Sequence, residues 1–266
     1  MTESLQDPIL SIVMPVRNEG INLRIMLKIL RAVVDATHEV LVVYDREGDD
    51  SLPVVEAMMP GDPELRLILN KRGVGVLNAL SAGIAEARGT YVLIFAADEV
   101  GPVLAIDDML ALMGDGCDFV SCTRYAHGGR RLGGSWIGGV LSRAANRWFC
   151  RLSGLRLTDA TTGIKMFRRT LFETLDLRAR PIGWAVTFEM AIKAQLAGLV
   201  LGEVPIVSID RLYGGKSTFV LGPWVSEYLR WFLWGLRRSL REPRASRRPT
   251  QVRIPAATAM GGKVSM

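Results

Sequence analysis

The sequence predicts an α/β fold in which a mostly parallel sheet is flanked by helices. Along the first hundred positions, short β-branched and aliphatic runs alternate with segments of helical period. The runs are apolar without interruption, which is typical of parallel strands covered on both faces. Of the 266 residues, 49% are hydrophobic and 23% are charged, a globular composition with enough chain for a large core.

The predicted elements follow one another in a regular order. Strands are expected at 9–16, 38–45, 65–70, 90–98, 118–125 and 199–210. Helices are expected at 21–34, 51–59, 75–87, 138–152, around 188–194, and at 222–241. The stretch 158–167 is polar and is assigned to neither class. Because no break in composition divides residues 8–240, we expect a single domain over 1–240.

Most of the positive charge lies at the end of the chain. The formal net charge is +6, and residues 241–266 contain six arginines and lysines against one glutamate. This tail is rich in Pro, Ala, Gly and Ser without apolar periodicity, so residues 242–266 are predicted to be disordered. Since the body is close to neutral, the charge does not argue for a nucleic-acid partner, and none is expected.

The cysteines and the start of the chain bear on the compartment. Three cysteines without metal-binding spacing predict free thiols in a reducing cytosol. The first residues lack the basic n-region of a signal peptide, and no apolar run reaches the roughly 18 residues that span a bilayer. A cytoplasmic protein is predicted, with peripheral attachment to the inner face of the plasma membrane as the alternative.

Polar residues follow each of the first four predicted strands. In open parallel sheets, ligands bind beyond the carboxyl ends of the strands. A single polar cluster at such a position is more often a turn or a helix cap, but four in succession favour a binding edge. The clusters are Arg17, Asn18 and Glu19; Asp45; Asn70, Lys71 and Arg72; and Asp98.

Asp98 in IFAADEV is the central candidate. A carboxylate at the end of a buried apolar strand is poorly solvated unless it is paired, and a divalent cation that bridges to a diphosphate would satisfy it. The alternative is a helix cap or a turn with Gly101 and Pro102. Asp45 is suited to accept hydrogen bonds from a base or ribose, whereas Asp49 and Asp50 are suited to cap the next helix.

Basic residues at loop positions suit anionic ligands. Lys71 and Arg72 stand beside glycines before a helix, where a phosphate or a nucleotide edge binds readily. Arg124 ends a strand, while Arg211 and Lys216 lie in the Gly-rich RLYGGKSTF. These three could clamp an anionic acceptor or a leaving diphosphate, or they could serve only solubility. The two histidines stand without a GxSxG motif, so a hydrolase triad is not expected.

The order of the motifs resembles the family-2, GT-A-fold glycosyltransferases, and within them the polyprenyl/dolichyl-phosphate mannosyltransferase-like branch. The resemblance spans roughly residues 9–235 and rests on SIVMPVRNEG, EVLVVYDREGDD, NKRGVGVLNALSAGIAEARGTYVLIFAAD, CTRYAHGG, LSRAAN, TDATTGIKMFRR, GWAVTFEMAIKA and GEVPIVSIDRLYGGKS. It implies inverting transfer of a sugar from a UDP- or GDP-sugar, assisted by Mg or Mn, with a polyprenyl phosphate as one candidate acceptor. It also implies a nucleotide-binding half near 9–100 and an acceptor half near 101–218.

The resemblance also implies roles for individual residues. Asp98 matches the last aspartate of the DxD-type metal motif, whose first aspartate is replaced by Ala96. This loss keeps open a non-catalytic nucleotide-binding protein of the same fold. The expected catalytic set is Asp98, Arg124 and Arg211. The residues expected to border the nucleotide are Pro15, Arg17, Asn18, Glu19, Asp45, Lys71, Arg72 and Asp98. The acceptor or phosphate is expected to contact Arg124, Arg211, Lys216 and Ser217.

The helix at 222–241 carries five aromatic residues and then three arginines near its end. This composition is typical of an interfacial helix that lies on anionic lipid headgroups. The alternative is a terminal helix that packs on the body or on a second copy, so a homodimer stays open.

Overall fold

The computed structural model describes residues 7–132, 136–209, 221–241, 252–256 and 258. Its strands are β1 (Leu10–Pro15), β2 (His38–Tyr44), β3 (Leu65–Leu69), β4 (Tyr91–Ile94), β5 (Phe119–Thr123), β6 (Arg130–Leu132), β7 (Lys165–Arg168), β8 (Leu201–Pro205), β9 (Val207–Ile209) and β10 (Val252–Arg253). Its helices are α1 (Gly20–Val33), α2 (Leu52–Met58), α3 (Val76–Ala85), α4 (Ile106–Gly114), α5 (Trp136–Ser153), α6 (Leu171–Thr174), α7 (Ala185–Leu196) and α8 (Leu221–Arg241). Short 3-10 helices occur at Met59–Gly61 and Gly101–Ala105.

In the described residues, eight strands form one mixed sheet and β6 pairs separately with β9. The order across the large sheet is β10, β8, β5, β7, β4, β1, β2, β3. β1 runs parallel to β2 and β4, and β2 runs parallel to β3. The mostly parallel α/β fold is therefore confirmed, and the carboxyl ends of β4, β1, β2 and β3 lie side by side along one edge.

The strands are covered on both faces, as their uninterrupted apolar character predicts. In β1, Ile12 and Met14 pack into a core with α1 and α4, while Val13 points to the opposite core with α3. The same alternation in β2 sends Val42 to the first core and Val43 to the second. Because successive side chains of a strand point to opposite faces, each strand contributes to two hydrophobic layers.

β7 begins within the polar stretch 158–167, to which the sequence assigned no strand. It runs antiparallel between β4 and β5. Its first residue, Lys165, is fully buried, which is unusual for a lysine. The ammonium donates to Ser121 Oγ at 2.8 Å and lies 5.7 Å from the ring centroid of Phe119. Burial lowers the pKa of Lys165 to about 8, against the opposing effect of Asp159.

Two aromatic residues of α8 pack on the body, in agreement with the alternative that this helix is a terminal helix of the domain. Trp231 is only 3% exposed, and its Nε1 donates to Glu227 at 3.1 Å. Phe232 packs edge-on against Phe149 of α5, with 5.0 Å between the ring centroids. Trp231 and Phe232 lie on the face that α5 and α7 cover, whereas Trp234 is 37% exposed.

β10 corrects the predicted disorder at one point of the tail. Val252 pairs with Leu201, and Arg253 pairs with Gly202, so β10 extends the sheet beside β8. The Arg253 guanidinium also donates to the backbone carbonyl of Asp115. A short β-branched segment finds an open strand edge here, a long-range contact that composition does not reveal. Within the described ranges, no helix is both long and apolar enough to cross a membrane.

Candidate active site

The turn after β2 supports the loop after β1 through hydrogen bonds. The consecutive backbone amides of residues 18–20 donate to Asp49 (3.1 and 3.0 Å to its two oxygens), Ser51 Oγ (3.0 Å) and Asp50 Oδ1 (2.8 Å), in that order. Asp49 also accepts a hydrogen bond from the amide of Ser51 at 2.9 Å. The expectation that these aspartates cap only α2 was therefore incomplete, since they also fix the loop that begins α1.

These hydrogen bonds fix the backbone of the first polar cluster, which consists of Arg17, Asn18 and Glu19. Asn18 has a φ of +56°, a left-handed conformation that asparagine tolerates better than most residues. Gly20 packs directly on the Asp50 turn, and a Cβ at Gly20 would lie 2.5 Å from the Asp50 carbonyl oxygen. Arg17 and Asn18 are exposed, and Pro15 and Glu19 are half-buried. Their side chains lie at the carboxyl edge of the sheet.

Asp45 and Asn70 link the ends of β2 and β3. Asn70 is buried, and its Nδ2 donates to Asp45 Oδ1 and to the Gly73 carbonyl, both at 2.7 Å. The backbone amide of Arg72 donates to Asn70 Oδ1 at 2.9 Å. Within the described residues only one oxygen of Asp45 is engaged, so the half-buried carboxylate is oriented and can still accept from a ligand. Lys71 and Arg72 are exposed beside it, ahead of α3.

Asp98 lies four residues beyond β4 and is half-buried. Val100 immediately precedes the next 3-10 helix, and no side chain caps that helix. The backbone amide of Glu99 donates to the Ala96 carbonyl at 3.4 Å, so Asp98 lies in a turn, and the turn alternative stays open. The neighbouring Glu99 accepts a hydrogen bond from Ser208 Oγ of β9 at 3.2 Å.

Whether Asp98 can hold a metal ion depends on how many carboxylates lie near it. Among the described residues, no group of three or more His, Cys, Asp and Glu side chains could hold a metal ion. Mg²⁺ in nucleotide-dependent enzymes is bound through one or two carboxylates, and substrate phosphates and water complete its shell. Asp98 fits this role as the protein's carboxylate, on condition that a diphosphate supplies further ligands.

Arg124 is held in a buried ion pair with Asp159, a residue that the sequence did not single out. Nε and Nη2 of Arg124 lie 2.6 and 2.9 Å from the two oxygens of Asp159. Burial alone would raise the pKa of Asp159, but the charge and hydrogen bonds of Arg124 hold it below its usual value. Thr161 and Asn146 complete the cluster through further hydrogen bonds. The fork of Arg124 is therefore largely occupied by the fold itself.

A second buried carboxylate, Glu203 of β8, was also missed by sequence reasoning. It accepts from the amide and hydroxyl of Thr158 at 2.7 and 2.9 Å and from the amide of Asp159 at 3.3 Å. His127 Nε2 lies 3.7 Å from Glu203 Oε2. Burial raises the pKa of Glu203 to about 7, although these donors oppose the shift.

The raised pKa of Glu203 predicts a pH-dependent component of stability. Between about pH 4.5 and pH 7 the folded state holds a proton that the unfolded state has lost, so stability falls as pH rises through this window. We expect a contribution of about 3 kcal/mol, measured as the unfolding free energy in urea from about pH 5 to pH 8. Glu203→Gln should lack this component, and an identical pH slope in both proteins would contradict the assignment.

Three predicted acceptor-binding residues, Arg211, Lys216 and Ser217, lie outside the described residues. Of the remaining predicted residues, the structure aligns the donor candidates along the ends of β1, β2, β3 and β4, while Arg124 follows β5.

The fold and this strand-end edge agree with the family comparison. The profile of glycosyl transferase family 2 matches residues 11–176, more than half of the chain, and the chain belongs to this family. It is therefore a glycosyltransferase. The resemblance drawn from the motifs is thereby confirmed.

Two relatives share most of their length with this chain. Polyprenol monophosphomannose synthase of Mycolicibacterium smegmatis is 26% identical over 208 residues, which cover 76% of this chain and 78% of that protein. Dolichol-phosphate mannosyltransferase of Mycosarcoma maydis is 25% identical over 208 residues, which cover 74% and 69%.

Solved structures show the same fold. Glucosyl-3-phosphoglycerate synthase from Mycobacterium tuberculosis, in complex with Mn²⁺, UDP and glucosyl-3-phosphoglycerate, superposes with a TM-score of 0.67 over 86% of this chain and 80% of that chain. Its complex with Mg²⁺ and UDP gives a TM-score of 0.65 over the same shares. At 17% and 18% identity, this likeness shows the fold alone.

Proposed function

We propose that the protein transfers a hexose, with inversion, from a UDP- or GDP-sugar to a lipid phosphate of the polyprenyl type. The single observation that carries the proposal is the row of polar strand ends, with Asp45 oriented by Asn70 and Asp98 beyond β4. The acceptor class is supported by the two relatives, whose names specify polyprenol and dolichol phosphate.

The donor would lie along the ends of β1 to β4. The free oxygen of Asp45 would accept from the base or ribose, and the exposed Lys71 and Arg72 would attract the phosphates. Arg17 and Asn18 would border the nucleotide on a loop that the Asp49 turn keeps rigid. A rigid backbone lowers the entropic cost of ordering the site when the donor binds.

Asp98 would hold Mg²⁺ or Mn²⁺ together with the donor diphosphate. When bound, such an ion neutralises the negative charge that grows on the leaving nucleoside diphosphate. Asp98 lies four residues beyond β4, where its carboxylate would position that cation against the diphosphate. The missing carboxylate at Ala96 makes Asp98 the dominant protein ligand in this proposal.

The acceptor supplies its own nucleophile. A phosphate oxygen is already ionised at neutral pH, so its attack on the sugar carbon requires no strong general base. The acceptor phosphate needs cationic and hydroxyl groups that hold it near the donor, and we assign this task to Arg211 and Lys216 together with the Ser217 hydroxyl. Arg124 would act beside them, although Asp159 occupies most of its fork. The proposed site of action is the cytoplasm, at the inner face of the plasma membrane.

Titration of the nucleotides tests the donor assignment. Calorimetry with UDP and GDP should show that Mn²⁺ strengthens the binding of one of them by about tenfold or more, because the ion bridges carboxylate and diphosphate. UMP and GMP serve as controls because they lack the diphosphate. Metal-independent binding without hydrolysis or transfer of any donor sugar would instead support the alternative, a non-catalytic nucleotide-binding protein.

A further inference from the structure

α5 presents an apolar strip to solvent. Leu141, Trp148 and Leu152 are each about half exposed. Their spacing of seven and then four residues places them on one face, since each residue turns a helix by about 100°. Asn146, on the opposite side of α5, and Phe149, on the flank between the two sides, are buried. α5 therefore has one side in the core and one unpaired apolar side.

α8 carries a similar strip. Val225, Leu229 and Leu233 follow one another at intervals of four residues. The six side chains of the two strips are each between 42% and 57% exposed. The buried residues of α8, such as Trp231, lie on a different face because they pack toward α7 and the core.

The two strips adjoin one another. α5 and α8 pack through Phe149 and Phe232, and a Cβ at Gly235 would lie 2.8 Å from Phe149 Cζ. On a helical projection, Leu152 lies on the flank of α5 next to Phe149, and Val225 lies on the flank of α8 next to Phe232. The six side chains thus form one surface, which we call the α5–α8 face: Leu141, Trp148, Leu152, Val225, Leu229 and Leu233.

Arginines border this face on both outer flanks. α5 and α8 together contain seven arginines and one acidic residue, the buried Glu227. Arg147 and Arg151 are exposed and make no ion pair within the described residues, while Arg143 stacks 5.1 Å from the ring centroid of Tyr125. An apolar centre with cationic flanks matches the boundary between the acyl chains and the anionic headgroups of a bilayer.

We propose that the α5–α8 face docks on the surface of an anionic lipid bilayer. Its charge distribution favours lipid over a second copy of the chain. In a two-fold dimer the same patch meets itself, so the arginines would face arginines without acidic partners. The inference deepens the proposed function, on which it rests for the lipid acceptor, by naming the surface that meets the membrane.

Vesicle binding tests the inference with the full chain. We expect cosedimentation with phosphatidylcholine vesicles that contain phosphatidylglycerol, and about tenfold weaker binding to phosphatidylcholine alone. Arg147→Glu with Arg151→Glu, and separately Trp148→Ser with Leu229→Ser, should each weaken binding to the anionic vesicles by about tenfold or more. Matched controls on other surfaces are Arg24→Glu with Arg31→Glu, and Leu104→Ser, which should bind as the wild type does.

The outcomes distinguish docking on lipid from dimerisation through the same face. All variants retain residues 242–266, so the charge of the tail contributes equally, and thermal unfolding verifies that each variant is folded. Unchanged vesicle binding in both double variants would overturn the inference. So would a dimer, seen by light scattering, that Trp148→Ser with Leu229→Ser dissociates, because a second copy would then cover the face. Titration with UDP and GDP separates this test from the test of the proposed function. A protein that binds nucleotide but not the vesicles contradicts only the docking surface. A protein that binds the vesicles but no nucleotide contradicts only the proposed function.

Discussion

Asp98→Asn is expected to lower kcat/KM for sugar transfer by about a hundredfold or more. Asparagine keeps the size of the side chain but removes the charge that would hold a divalent cation against the diphosphate, and electrostatic contacts of this kind contribute about 10²–10³ in rate. With Ala96 two residues upstream, no second aspartate of the motif compensates. The measurements are steady-state transfer from UDP- and GDP-sugars and the Mn²⁺ dependence of nucleotide binding.

Asp107→Asn is the matched control for this experiment. Asp107 is exposed in the first turn of α4, so the same chemical change occurs away from the strand-end edge. We expect wild-type turnover from this variant. Wild-type turnover from Asp98→Asn would remove Asp98 from the metal site, and the donor would then have to be bound without it.

Asp159→Ala is expected to destabilise the fold by about 3–5 kcal/mol. The substitution leaves the Arg124 guanidinium buried without its partner, and an uncompensated buried charge is among the most costly single changes. For a chain of this size we expect a fall in Tm of about 10 °C. Urea unfolding and thermal scans at neutral pH measure the effect.

The exposed pair of Asp176 and Arg178 provides the control. Its atoms approach to 2.7 Å, much as in the buried pair, but both side chains are largely solvated. Asp176→Asn should therefore change stability little, because asparagine tolerates the left-handed φ of +46° at this position and exposed ion pairs contribute little. Equal losses from Asp159→Ala and Asp176→Asn would contradict the importance of burial.

A double variant separates structure from acceptor binding. Arg124→Met with Asp159→Leu replaces both charges by apolar groups, which often restores much of the stability lost when one partner is removed. If Arg124 also contacts the acceptor phosphate, this folded variant should still show a raised KM for the acceptor. An unchanged KM would restrict Arg124 to its structural role.

The sequence predicted those candidate site residues that lie at the ends of the parallel strands. The parallel strands could be predicted from apolar runs, and their carboxyl ends then had to share an edge, so Asp45 and Asp98 were found as candidates. Pairings between distant residues left no such pattern. Arg124 and Asp159 are 35 positions apart, and nothing local marks Asp159 as the partner of a buried arginine.

The orientation of α8 could not be predicted for a different reason. Apolar residues cover more than one side of this helix, so the period of the sequence does not decide which side is buried. Only packing shows that Trp231 faces the core while Leu229 faces solvent. β7 escaped prediction because a four-residue strand that begins with lysine lacks the apolar run on which strand prediction depends.

The position of β10 affects how the chain is made. The outer edge of β8 is paired by Val252 and Arg253, residues that emerge from the ribosome after every other strand of the sheet. Until then, the nascent protein presents an open strand edge with backbone groups that can pair with another molecule, a recognised route to aggregation. A shortened chain that ends at Arg241 would keep that edge permanently open and should lose yield on expression, even though the ends of β1 to β4 are unchanged.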